Sequence, residues 1–518
     1  MRREAILLLG LLAFCLALRT AQLLAWPIFI DESLHIRAAQ LMDIRTPATL
    51  LMSESADYSG DPPLYAWLMA PLLHLLADPL LAARLTSALI GALGLPWTWA
   101  AARMLWGPRT GLAAALLYAL CPFLLFYHRM ALHDGLIATC GAGALYYAIR
   151  LACRGRMRDA LTLGLCLAAA LLTKAVAVSL LLLPLLAVVA AHSGERRAVA
   201  RGAAVAMVLG AAPYTCLALW PYDNTPYSFV FHGHLQVAGG VEGLLSVIGG
   251  QAARWANALW LYLTPPVLLL AALGLWATRR ERMALLLGAW ALLGSLPVVA
   301  LPNRLFVPRY FLYIAVPTVV LAARGLLLLA DLARTRLTAG RPRPLLLSCA
   351  VGLILLPAIA SDAAIIAAST RTPLLPADRF QYVTGWPSGY MLTPMVGFLR
   401  GRARRGPITV VSEQSNPPLD MLRIALVRDT SITLVEASVD SPRDLGAGLR
   451  QAVRGTDGNA GSLYLIVHYT SDRPSPIAPD GAMILANRGT LRLVLRARSL
   501  DEASRYDVYT LVGPSYAI

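Results

Sequence analysis

Residues 84–125 read RLTSALIGALGLPWTWAAARMLWGPRTGLAAALLYALCPFLL. Two apolar runs, opening near Arg84 and Gly111, flank a short connector that holds Arg103 and Arg109. Each run is near the ~20 residues a helix needs to cross the hydrocarbon layer of a bilayer. The same pattern recurs along the chain. Further runs open near Ala5, Gly135, Ala160, Val176, Gly202, Ala256, Met283, Arg309 and Leu345, so eleven spans are expected. Residues 4–25 are too long and too apolar for a cleavable signal, and no A-x-A site follows, so the first run reads as an uncleaved helix.

Composition agrees. Of 518 residues, 58% are hydrophobic and only 14% charged, with a mean hydropathy of +0.61. A soluble domain carries about 25% charged residues, so a disordered chain and a conventional soluble enzyme are both excluded. The seven cysteines form no C-x-x-C pair, which signals neither a disulfide scaffold nor a thiolate zinc site. The net charge of +16 is not massed in one patch, as nucleic-acid binding would need, but recurs in short clusters between apolar runs. Of the 45 basic residues only Lys174 is a lysine.

Arginine asymmetry orients the spans. One set of connections holds Arg2 and Arg3, Arg103 and Arg109, and the clusters in 150–158, 196–201, 279–282 and 324–343. The opposite set is poor in arginine and holds most acids, among them Asp31, Glu32, Asp61, Asp134 and Asp223. The arginine-rich side, with the N-terminus, is then cytoplasmic, and an odd number of spans puts the C-terminal part outside. The chain divides into a membrane domain, 1–362, with a long first outer loop at 26–83, and an outer domain, 363–518. From residue 363 the composition shifts toward Gly, Pro and charge. Strand-like segments at 408–412, 432–436, 463–470, 491–497 and 506–512 alternate with amphipathic helix-like segments at 391–403, 419–428 and 441–454. That predicts a small α/β domain with a partly parallel sheet. It has no G-x-G-x-x-G and no P-loop.

Four outward positions could carry chemistry. The first loop opens with W-P-I-F-I-D-E-S, putting Asp31 and Glu32 at the edge of the membrane ahead of a helical stretch. Such acids either respect charge asymmetry or act as a general base on a hydroxyl. D-P-P-L-Y-A-W-L at 61–68 brings Asp61 and the interfacial aromatics Tyr65 and Trp67, just before Arg84. Arg84 either faces the protein interior or snorkels to the interface. The second outer loop, F-Y-H-R-M-A-L-H-D-G-L, gathers His128, Arg129, His133 and Asp134. Its spacing fits no standard zinc motif, and Arg129 with Asp134 reads as a charge pair at a helix start. Lys174, in A-L-L-T-K-A-V, and Arg309, in N-R-L-F-V-P-R-Y-F, lie at the outer ends of their spans, at the depth of a lipid-linked phosphate.

Together these segments resemble the GT-C membrane glycosyltransferases, specifically the bacterial family-39/83-like relatives of protein O-mannosyltransferases and aminoarabinose transferase (the RgtA/B/C/D-like group). The resemblance rests on D-E at 31–32, D-P-P-L-Y-A-W-L at 61–68 with A-A-R-L-T-S-A-L at 82–89, R-M-A-L-H-D at 129–134, L-T-K at 172–174, and Q-Y-V-T-G-W-P-S-G-Y at 381–390. It is strongest over 26–190. Two departures stand out. Aminoarabinose transferases have lysine where Asp61 stands, which argues against that sugar, and the usual T-K-G reads T-K-A with Ala175.

The resemblance implies a GT-C fold in a bacterial inner membrane, with a polyprenyl-phosphate-linked monosaccharide as donor and a lipid, glycan or protein hydroxyl as acceptor. Asp31 is the expected base, with Glu32 beside it and Asp134 helping to build the same cleft. Lys174, Arg309, Arg129 and Arg84 are the expected holders of the donor phosphate, and Asp61, Tyr65, His128 and His133 line the cleft. A single displacement would invert the anomeric centre. No cofactor and no metal are expected. The alternative is a transporter or flippase of lipid-linked sugar, which would place acids near mid-membrane and in broken helices; here the candidate acids cluster at the outer ends of the spans.

Overall fold

A computed structural model describes residues 2–42, 62–219, 240–296, 306–336, 343–368, 370–412, 418–437, 463–470, 483–484 and 490–512. The chain forms two compact units: Met1–Ala25, Ala38–Leu72 and Ala83–Leu375 in the first, Trp26–Arg37, Leu73–Ala82 and Pro376–Ile518 in the second. Residue 363, where composition places a boundary, lies inside the helix Arg343–Ile366.

The first unit is helical, and each of the eleven expected starts falls in a described helix. Among the described residues, five helices are by length and apolarity fit to cross a membrane, or up to seven if each bent pair counts as one span, where eleven were expected. The difference has two physical sources. Some runs form helices too short to cross alone, such as Arg282–Leu293 with 12 residues and Leu182–Ala190 with 9. Others break at proline. Pro108–Ala119 and Pro122–His128 meet at 55°, and Ile248–Tyr262 and Pro265–Ala277 at 104°. Proline lacks the N–H that an α-helix interior needs, so it is tolerated where a new helix begins. Thr264, before Pro265, takes a positive φ of 64° to make the sharper corner. Large apolar side chains such as Ile6, Leu7, Leu9, Leu93 and Leu353 stay exposed, as suits helices solvated by lipid rather than water.

Small residues set one close helix contact. A Cβ on Gly274 would collide with the Leu321 carbonyl oxygen, and one on Gly325 with that of Leu270. The helices Pro265–Ala277 and Ala315–Arg336 therefore touch backbone to backbone, the packing that membrane helices reach through small residues.

The second unit is built on a six-stranded sheet of β1 (Ile408–Ser412), β2 (Ile432–Glu436), β3 (Leu463–Thr470), β4 (Met483–Ile484), β5 (Thr490–Arg498) and β6 (Ser504–Val512). The order is β2-β1-β3-β6-β5-β4. The β1 strand is parallel to β2 and β3, and the remaining pairs are antiparallel. Thus the sheet is partly parallel as expected, and all five expected strands are present. Apolar ITVVS makes a strand buried throughout, the mark of a central parallel position. Helices Leu392–Ala403 and Leu419–Ala425 also appear, while the expected segment 441–454 lies outside the described residues.

Trp26–Arg37 belongs to this second unit, and the reason is local. A Cβ on Gly389 would overlap the Ile28 carbonyl oxygen, so only glycine lets the turn at 385–390 approach this segment. The Ile30 N–H donates to the Pro387 carbonyl at 3.1 Å, and the Phe29 and Tyr382 rings lie 4.5 Å apart. The Q-Y-V-T-G-W-P-S-G-Y segment is thus the seat of the segment that carries Asp31.

Candidate active site

In the second unit, Asp31 and Glu32 open the helix Ile30–Leu41. Their environments differ. The Glu32 carboxylate is fully buried and accepts the Phe29 N–H at 2.9 Å. That is an N3 carboxylate reaching back to cap its own helix, a structural use of the side chain. Asp31, in the same first turn, stays half-exposed. Of the two acids, Asp31 is the one a substrate can reach.

In the first unit, the loop at 129–132 breaks the helix after His128, and the next starts at His133. Asp134 sits in that new helix's first turn, 2% exposed, and its partner is Arg309: Nε lies 3.5 Å from Oδ2. The pairing expected from sequence, with Arg129 five residues away, is not the one formed. The other Asp134 oxygen, Oδ1, is buried and has no hydrogen-bond partner among the described residues. Arg309 lies in the turn Pro308–Ile314, next to Tyr310. Its guanidinium sits 5.8 Å from the Tyr310 ring centre, and the Lys174 ammonium lies 4.9 Å from the same ring. Lys174 is half-buried where the helix Met157–Leu171 gives way to a 3-10 turn. A point-charge ammonium and a guanidinium fork thus share one aromatic ring, with a carboxylate beside the fork.

Arg129 and Arg84 lie elsewhere in the same unit. Arg129 donates to the carbonyls of Leu18, Arg19 and Gln22 at 2.9, 3.2 and 3.2 Å, and Arg84 to that of Leu23 at 2.7 Å. Both satisfy the carbonyls left open where the first helix, Arg2–Thr20, ends and turns. His128 is fully buried, held between Gly91 and Gly135, and its Nδ1 accepts from Arg19 Nε at 3.2 Å. Tyr65 is buried too: its hydroxyl bonds Ser87 Oγ at 2.5 Å, and its ring lies 4.8 Å from that of His133. Asp61 lies outside the described residues.

So Asp134, Arg309 and Lys174 come together, whereas Arg84, Arg129 and His128 are built into the packing around the first helix. Sequence reasoning missed two participants. Tyr310 had only its place next to Arg309 as a signal. Arg19, fully buried, was legible as a charged residue within an apolar run. Among the described residues no three His, Cys, Asp or Glu side chains group closely enough to hold a metal ion.

Comparison with known proteins bears on the fold. Residues 60–220 match the family model of dolichyl-phosphate-mannose-protein mannosyltransferase. The structure of ArnT from Cupriavidus metallidurans bound to undecaprenyl phosphate is similar over 98% of this chain and 97% of its own, with a TM-score of 0.58 and 17% identity. The apo state of that protein is similar over the same shares, with a TM-score of 0.57 and 18% identity. The Archaeoglobus fulgidus oligosaccharyltransferase in its apo form is similar over 90% of this chain and 69% of its own, with a TM-score of 0.55 and 12% identity. No curated protein is close enough in sequence to count as a match. The family model thus matches the stretch 60–220, and the chain shares the fold of ArnT from end to end.

Proposed function

We propose that the chain transfers a monosaccharide from a polyprenyl-phosphate donor to an acceptor hydroxyl, with inversion, on the periplasmic face of a bacterial inner membrane. The N-terminus is cytoplasmic and the second unit periplasmic in this reading. One observation carries the proposal: Lys174 and Arg309 share the Tyr310 ring, with Asp134 beside Arg309. A half-buried lysine and a fixed arginine on one ring suit a phosphate that gains charge as its bond breaks. The undecaprenyl phosphate bound to ArnT, a protein of the same fold, supports a lipid-linked phosphate as the ligand.

The step balances as follows. Asp31 takes the proton from the acceptor hydroxyl, and the acceptor oxygen bonds the anomeric carbon. The bond from that carbon to the phosphate oxygen breaks on the opposite face. Polyprenyl phosphate leaves with the electron pair, and Lys174 and Arg309 stabilise its added charge. Asp134 orients Arg309 from the other side. The sugar arrives activated, so neither nucleotide nor metal enters the step.

The test uses the purified chain in lipid nanodiscs, a panel of undecaprenyl-phosphate monosaccharides as donors, and membranes of a deletion strain as acceptor. Wild type forms a new glycosidic bond, which a flippase does not. Asp31→Asn keeps insertion and loses transfer by roughly 10²–10⁴-fold, the range of a missing general base. Near-wild-type transfer by that variant would remove Asp31 from its role. EDTA leaves wild-type turnover unchanged; a loss restored by Mn²⁺ would refute metal independence.

A further inference from the structure

A run of alternating charge in the second unit ends on the helix that carries Asp31. Glu436, at the end of β2, holds Arg423 Nη2 at 2.8 Å. Arg423 Nη1 holds Asp420 at 3.0 Å, and Asp420 lies 3.5 Å from Arg37 Nε. Asp420 and Arg423 both sit on the short helix Leu419–Ala425, and Arg37 on Ile30–Leu41. All four side chains are only a quarter to a third exposed, so their attraction is screened less than that of a fully solvated pair. Burial and then the like charge of Arg423 pull the Arg37 guanidinium below its ordinary value, while Asp420 and Glu436 offset this.

The Asp31 helix is therefore anchored both at its start and at Arg37. At its start, the Ile30 N–H bonds Pro387 and Phe29 packs on Tyr382. The second anchor is Arg37 on Asp420, seven residues or ~10 Å further along the helix. A helix held at one point turns about it. Held at two, its direction and rotation are both set, and with them the aim of a side chain in its first turn.

We propose that Arg37 is a positioning residue for Asp31, holding the carboxylate's aim through Asp420 and the ion chain to β2. This rests on the reading of Asp31 as the base. It makes the 376–518 segment part of the catalytic apparatus rather than an appended module, because that segment sets where the base points.

The test is a double-mutant cycle in the full chain, using the nanodisc transfer assay. Arg37→Gln and Asp420→Asn each lower kcat by roughly three- to tenfold, per folded enzyme, and leave the KM for the polyprenyl-phosphate sugar unchanged. The double variant loses no more than either single one, and Arg37→Lys recovers most of kcat. Roughly 0.5 M NaCl lowers wild-type kcat at saturating donor toward the Arg37→Gln value and leaves that variant unaffected, because high salt weakens even a pair that is a quarter exposed. Additive losses, or equal salt sensitivity in wild type and Arg37→Gln, would overturn the proposal. Asp31→Asn, run in parallel, separates the two ideas. If it abolishes transfer while the cycle is additive, only the positioning role fails; if it retains transfer, the base assignment itself fails.

Discussion

Two clusters of basic side chains in the helical unit look alike in sequence and differ in what their donors meet. Around the end of the first helix, Arg84 and Arg129 donate to backbone carbonyls of residues 18–23. Around Tyr310, Lys174 and Arg309 meet a ring face, and Arg309 has a carboxylate close by in Asp134. A guanidinium that caps a helix end has its charge answered by the negative end of the helix dipole and spends its terminal N–H groups on carbonyls. An ammonium over a ring has its charge answered by the ring face, which accepts no strong hydrogen bond. Membrane depth alone does not mark a ligand-holding cation; the chemistry of its protein partners does.

The contrast can be broken by substitution. Lys174→Ala has the largest expected effect on function: transfer falls about 10²-fold or more in kcat while the melting temperature stays near wild type, read by the nanodisc assay and by thermal unfolding. An unchanged kcat would erase the distinction between the clusters. Arg129→Ala reverses the pattern. Three carbonyls lose their donor, stability drops by about 2–4 kcal/mol, and turnover per folded molecule holds within about threefold. Arg84→Ala follows it with a smaller loss. The smallest effect comes from Gly91→Ala. Its Cβ would overlap the His128 ring, forcing a shift that costs about 1–3 kcal/mol of stability with no change in donor KM.

Much of this was legible in the sequence. Each apolar run located a helix of the first unit, and ITVVS, ITLVE and LYLIVHYT matched the parallel core of the sheet residue for residue. Those signals are local: a hydrophobic period needs only its own neighbours. What stayed hidden was partner choice at long range. Asp134 is five residues from Arg129 and 175 from Arg309, yet the break after His128 turns Arg129 toward the first helix and leaves Arg309 as the ion-pair partner. Glu32 shows the opposite case. Its place three residues after Phe29, at a helix start, is a capping signature, and the pull of a neighbouring candidate base obscured it. The two-residue β4 was missed because so short a strand has no period to read.

The paired glycines at 274 and 325 give the helical unit a one-sided mechanical stop. With backbone already against backbone, the two helices can be wedged apart but never driven closer. One of them, Ala315–Arg336, grows directly out of the turn that presents Arg309 and Tyr310. The height of that turn is therefore gauged by two hydrogen atoms, and any larger side chain at either position would act as a shim that moves the cation a full helix away.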